Sequence, residues 1–184
     1  GRLGADEAIS AIQQSDLIIA AGTRLGQSTT FYDNRFIPEG AKIIQIEIDP
    51  KELGRNYPIT VGIEGDVKSV LEDILEGLQG SGELNLDWKT TVLSQHVARN
   101  TRLDTELSID SYPMKPQRVY AELRKVMPRD AIIALDAGLA PNFGQDRLVF
   151  NEPRTLISPL DLGGLGFSFP TAIGAAFGAP DRHV

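Results

Sequence analysis

Between Asp161 and Pro170 the chain reads Asp-Leu-Gly-Gly-Leu-Gly-Phe-Ser-Phe-Pro, and the small-residue run Thr171-Ala172-Ile173-Gly174-Ala175-Ala176 follows. Closely spaced glycines let a backbone approach a ligand, and Pro170 suits the first turn of a helix. The loop therefore either presents its backbone to a bound molecule or is a tight turn against a neighbouring strand. It is not a dinucleotide fingerprint, because no strand at the required spacing runs into a G-x-G-x-x-G. Other chemistry-bearing side chains are sparse. His96 and His183 have no partner at ligand spacing and read as solvated. No Ser-His-Asp set and no zinc pattern can be argued. With zero cysteines, disulfides, thiolate metal sites and a cysteine nucleophile are excluded, the pattern of a reducing cytoplasm. Asp33 with Arg35, and Asp146 with Arg147, read as surface charges. Glu72, Asp73 and Glu76 read as the wet face of a helix, and Asp49-Pro50 as the end of a strand.

The chain has 184 residues, with 18 Lys+Arg against 25 Asp+Glu and a net charge of −7. That balance excludes a nucleic-acid binder held by a general basic field, yet leaves room for a phosphorylated small ligand held by backbone amides. Hydrophobic content of 41% with 23% charged residues is that of a soluble globular chain. No apolar run approaches the roughly 20 residues needed to span a bilayer, and the start does not have the form of a signal peptide.

The order of elements supplies the scaffold. Residues 5–14 have the spacing of one helical face. Asp16 to Ala21 is a short apolar run closed by Gly22, and Lys42 to Ile48 is a second run closed by Asp49-Pro50. Runs apolar on nearly every residue suit strands covered on both faces. Asp66 is an N-cap candidate for a helix with Val67, Val70, Leu71, Ile74 and Leu75 on its buried side. Gly80-Ser81-Gly82 breaks the chain, and 79–114 reads as an interdomain connector with a helix over 87–99. A second α/β pattern follows: a helix over Pro116–Val126 with Val119, Leu123 and Val126 inward, a strand over 130–136, a short strand at 155–157 and a helix over 171–177. The chain closes at Pro180 to Val184, where a further strand is expected to start. The expected class is α/β: two incomplete doubly wound parallel-sheet domains, 1–78 and 115–184, joined by the connector.

Two separated segments resemble one family. Gly163 to Ala175, then Ala179-Pro180-Asp181-Arg182, resembles the start of the C-terminal cofactor domain of thiamine-diphosphate enzymes of the acetolactate synthase type. Asp16 to Leu25, Ala41 to Pro50 and Val61 to Asp66 resemble the central, Rossmann-like domain of the same enzymes. The resemblance implies a parent enzyme that decarboxylates a 2-oxo acid such as pyruvate and passes the two-carbon unit to a second 2-oxo acid. It equally admits a decarboxylase, a glyoxylate carboligase or a sulfoacetaldehyde acetyltransferase, and a non-catalytic nucleotide-binding module is the rival of a different class.

Carried over residue by residue, the resemblance places Gly138, Leu139 and Ala140 at the cofactor's diphosphate. Relatives often have a polar residue where Leu139-Ala140-Pro141 stands. Gly163, Gly164 and Leu165 fall at the aminopyrimidine, Leu165 where the family has a bulky apolar residue that wedges the cofactor into its bent form. Gly22, Thr23, Arg24, Glu47, Ile48, Gly65 and Asp66 match the site that binds FAD in some members, and binds ADP or is empty in others. In this chain Leu25-Gly26-Gln27-Ser28 replaces the acidic residues that often follow the arginine. The resemblance assigns no catalytic residue and no metal ligand here. It implies Mg2+ on ligands outside the chain, an activating glutamate ahead of residue 1, and little activity for the chain alone. A homodimer or homotetramer in the cytoplasm is expected, with a small 2-oxo acid as substrate and neither nucleic acid nor membrane as partner.

Overall fold

In the computed structural model the described residues are 4–80, 82, 86–159 and 162–184. Ser81 of the expected break and Asp161 at the head of the glycine loop lie outside them. From the first helix onward the chain divides into two compact units, 6–97 and 98–184.

The first unit is a parallel sheet of β1 (Leu17–Ala21), β2 (Lys42–Glu47) and β3 (Val61–Glu64), in the order β1-β2-β3. Both apolar runs form strands as expected. The third strand was not expected, because Val61-Gly62-Ile63-Glu64 is short and holds a glycine. Ile18 pairs with Ile43, and Ile46 with Ile63. Ala20 and Ile43 on one face pack with Leu25, Ile37 and Tyr57 from the loops into a core, with Ile18 against it. The helices are α1 (Asp6–Gln13), the short α2 (Gln27–Thr30) and α3 (Val67–Gly77). Asp66 caps α3 by accepting from the Ser69 amide at 3.1 Å, an arrangement worth about 1 kcal/mol. Of α3's expected inner side, Val67, Val70, Leu71 and Ile74 are half-buried, while Leu75 is exposed.

Helix α4 (Leu86–Thr105) outlasts the expected 87–99. Its second half lies in the second unit, where Arg102 donates to both carboxylate oxygens of Asp146 at 3.2 Å. Helix α5 (Pro116–Val126) has the expected bounds but a different buried face. Val119, Leu123 and Val126 are exposed, and Ala121 is fully buried. The cause is polar: Arg118 donates to the carbonyls of Leu107 and Ile109, and Arg124 to those of Leu103 and Arg147, so the arginine side faces inward. Of the expected strand 130–136 only Ile133–Ala134 forms β4, because its parallel partner β5 (Leu156–Ile157) is equally short. The Ile132 amide donates to the His183 carbonyl at 2.8 Å, so the last residues reach the same sheet. Helix α6 (Leu139–Arg147) was not among the expected elements, and α7 (Ser168–Gly178) starts ahead of the expected 171.

The reading of Asp146 and Arg147 as surface charges is overturned. Asp146 is only 8% exposed. Arg147 forms two hydrogen bonds to Glu106 through Nε and one through a terminal nitrogen at 2.8 Å, and its guanidinium lies 5.1 Å from the Phe143 ring centre. Arg99 and Arg102 complete this cluster, which fastens the far end of α6. Asp33 and Arg35 do pair at the surface.

Candidate functional site

In the first unit the residues matching a nucleotide site come together at the strand ends. Gly22 follows β1, Glu47 closes β2 with Ile48 behind it, and Gly65-Asp66 links β3 to α3. The ladder extends past the strands, with the Gly22 amide donating to the Ile46 carbonyl at 2.9 Å and the Gly65 amide to the Glu47 carbonyl at 3.0 Å. The carboxyl edge of a parallel sheet is where open α/β folds place ligands. Arg24 and Ile48 are exposed there. Two polar groups are already engaged: the Asp66 carboxylate in its cap, and one Glu47 oxygen on the Ile48 amide.

A buried amide that sequence reasoning missed holds this edge. Gln45 is 3% exposed. Its Nε2 donates to the carbonyls of Thr23 and Glu52 at 3.3 and 3.1 Å, and its Oε1 accepts from the Gly54 amide at 2.8 Å. One side chain thus fixes the loop after β1 against the turn after β2.

In the second unit the organising residue is Asp136, just past β4. Its Oδ1 accepts from the amides of Ala137 at 2.8 Å and Gly166 at 2.9 Å. Its Oδ2 accepts from the Ser168 amide at 2.9 Å and the Ser168 hydroxyl at 2.7 Å. The Ser168 hydroxyl, then the surrounding amides, stabilise the ionised form and lower its pKa to about 2. This carboxylate joins the turn after β4 to the glycine loop 30 residues on, bringing Gly138–Ala140 and Gly163–Leu165 to one end of the sheet. Chain order alone could not reveal that link; the only signal was an acid closing an apolar run.

Two helices start here, and they differ. The first amide of α7 is spent on Asp136. Helix α6 has no side-chain cap: Gly138 stands at its N-cap with φ 93° and ψ −137°, a conformation open essentially to glycine alone. The first-turn amides of Leu139 and Ala140 therefore carry the positive end of the helix dipole to any anion, while Pro141 has no N–H to give. At Gly144 an added Cβ would meet Leu135 Cδ1 at 2.8 Å, so α6 lies directly on the end of β4. The Tyr120 hydroxyl donates to the Ala140 carbonyl at 3.1 Å, and burial raises its pKa.

These residues fit thiamine diphosphate. Among the described residues nothing lies within 4 Å of where a Cβ would stand at Gly138, Gly163 or Gly164, leaving room beside the backbone. Leu139 and Leu165 are 69% and 85% exposed, apolar surface free to meet a ring system. The Ser158 hydroxyl just beyond β5 is buried with no hydrogen-bond partner among the described residues. No group of three His, Cys, Asp or Glu side chains that could hold a metal occurs among the described residues. No described helix is long and apolar enough to cross a membrane.

Two parallel sheets, with a glycine loop and a helix start joined through Asp136 in the second unit, define an α/β protein. Comparison with known proteins makes the class specific. Residues 1–74 match the family described as thiamine pyrophosphate enzyme, central domain. It is similar to the sulfoacetaldehyde acetyltransferase of Alcaligenes xylosoxydans, with 33% identity covering 99% of this chain and 34% of that protein. To the acetolactate synthase large subunit of Haemophilus influenzae it is 33% identical over 100% of this chain and 32% of that protein. The same figures hold for a probable acetolactate synthase large subunit of Methanocaldococcus jannaschii. The chain spans about a third of the length of these curated relatives.

Proposed function

We propose that this chain supplies the central sheet and the first cofactor loops of a thiamine-diphosphate enzyme that decarboxylates a 2-oxo acid and transfers the remaining two-carbon unit. The observation that carries the reading is the Asp136 bridge, which holds the glycine loop against the turn leading into α6. In this reading the amides of Leu139 and Ala140 hold the diphosphate, the backbone of Gly163 and Gly164 orients the aminopyrimidine, and Leu165 supports it from below. Bound thiamine diphosphate supplies a carbon nucleophile and an electron sink for decarboxylation. This chain's part is to bind and orient it and to keep water from the apolar side of Leu139 and Leu165. In the same reading Mg2+ would neutralise the diphosphate, and Gly22, Thr23, Arg24, Glu47, Ile48, Gly65 and Asp66 at the strand ends would hold FAD or ADP. The working form is a cytoplasmic homodimer or homotetramer.

Acceptance by a second 2-oxo acid, as in an acetolactate synthase, is the leading reading. Aligning this chain with the Haemophilus synthase subunit takes 189 positions, against 211 for the Alcaligenes acetyltransferase at equal identity, so the synthase is matched with fewer insertions. The equal identity keeps acetyl transfer from a sulfonated aldehyde as the second reading. The test is calorimetric titration of the full-length protein with thiamine diphosphate and Mg2+, together with carbon dioxide release from pyruvate. Binding with release, and formation of acetolactate, is the expected outcome. Binding without release, with acetyl phosphate and sulfite formed from sulfoacetaldehyde and phosphate, moves the assignment to the second reading. A full-length protein that binds no thiamine diphosphate refutes both.

A further inference from the structure

A helix that holds an anion on its first turn faces a conflict. The side chains that ordinarily fix that turn are N-caps, and a cap occupies the same amides that the anion needs. Helix α6 has no such cap, because Gly138 at its N-cap has no side chain to give. Its first turn is fastened from another direction. Tyr120, on α5, donates its hydroxyl to the carbonyl of Ala140 at 3.1 Å. That bond engages an acceptor of the turn and takes none of its amides.

Two further contacts set Tyr120 against this helix. Its ring lies nearly parallel to that of Phe143, with 6.3 Å between centres and 18° between planes. A Cβ at Gly144 would stand 3.3 Å from Tyr120 Cε1, so the ring rests on α6 where a side chain is missing. Burial raises the Tyr120 pKa, which keeps the hydroxyl a donor at neutral pH. Arg124, one turn along α5, donates to the Arg147 carbonyl at 3.1 Å. Helix α5 thus grips α6 at both ends, with the tyrosine at the end whose amides face the anion. We propose that Tyr120 is a positioning residue for the diphosphate of thiamine diphosphate, ordering the first turn of α6 before the cofactor arrives. A turn that is already ordered need not be ordered at the expense of binding. This assignment rests on the thiamine-diphosphate reading of the site, and in it Tyr120 acts through α6 and is not a catalytic residue.

The test is calorimetric titration of the full-length protein and its variants with thiamine diphosphate in the presence of Mg2+. Tyr120→Phe keeps the ring against Phe143 and Gly144 and deletes the hydroxyl alone. It should weaken thiamine diphosphate binding about two- to tenfold, the worth of one neutral hydrogen bond. Replacing Tyr120 by p-aminophenylalanine restores a donor at the same place and should return the affinity to within about twofold of the parent. Arg124→Lys loosens the far end of α6 and should also leave the affinity within about twofold. Three results would overturn the assignment while leaving the thiamine-diphosphate reading intact: unchanged affinity in Tyr120→Phe, no recovery with p-aminophenylalanine, or an equal loss in Arg124→Lys. The last would show that any loosening of α6 weakens binding. A parent protein that binds no thiamine diphosphate overturns the reading and this assignment together.

Discussion

Replacing Gln45 by leucine tests whether one buried amide holds the carboxyl edge of the β1–β3 sheet. Leucine keeps much of the volume but removes two donated hydrogen bonds and one accepted one. The carbonyls of Thr23 and Glu52 and the Gly54 amide then lose their partner. A buried group left unsatisfied costs about 1–3 kcal/mol. Thr23 and Glu52 are half-buried and Gly54 is exposed, so water recovers part of the loss, and about 2–3 kcal/mol remains. For a domain of this size that lowers the midpoint by roughly 10–20 °C. Trp88, the single tryptophan, lies in the same unit and reports its unfolding by fluorescence. The reasoning is refuted if Gln45→Leu melts within about 2 °C of the parent, a shift worth less than one hydrogen bond. Gln45→Glu sharpens the test, because it retains an acceptor for Gly54 but turns a carboxylate toward two carbonyls, and should be the more damaging change.

Two further outcomes are expected. The Asp136 pKa falls from 3.8 to about 2 on folding, so its contribution to stability is present above pH ~4 and is lost as pH falls toward ~2. The stability gap between the parent and Asp136→Asn should close across that window, and a gap that is constant with pH would contradict the assignment. Asp146→Ala should destabilise the second unit by about 3–5 kcal/mol, since it leaves Arg99, Arg102 and Arg147 short of a carboxylate in a largely buried cluster. Urea unfolding followed by circular dichroism measures it, and a loss below about 1 kcal/mol, the range of an exposed ion pair, would refute the buried-cluster argument.

What could be read from sequence was local. The apolar runs at 17–21 and 42–47 form strands because side chains covered on both faces leave a compositional mark. Asp66 caps a helix because the cap and its partner amide are three residues apart. The face of α5 was misread because valine and leucine normally define the inner side, whereas here arginines reaching main-chain carbonyls do so. The α6 helix was not expected, and Pro141 is tolerated in it because it falls in the first turn. The bridge from Asp136 to Ser168 and the pairing of Arg147 with Glu106 span 32 and 41 residues. No spacing rule reaches that far. The resemblance pointed to residues 138–140 and 163–165, and the geometry adds a carboxylate, Asp136, that joins their two segments.

The contact between Gly22 and Val67 bears on how this sequence could have changed over time. An added Cβ at Gly22 would meet Val67 Cγ2 at 3.2 Å, and the glycine sits at φ +62°. Shrinking Val67 would relieve the crowding but not the backbone strain, so a larger residue at 22 faces two separate obstacles. A lineage replacing Gly22 would need a smaller residue at 67 and a residue tolerant of the left-handed region, such as asparagine, at 22. The order matters, because the change at 67 is harmless to position 22 while the reverse order passes through a crowded intermediate. Drift at this strand end is therefore directional: position 67 is free to vary downward in size first, and position 22 only afterwards.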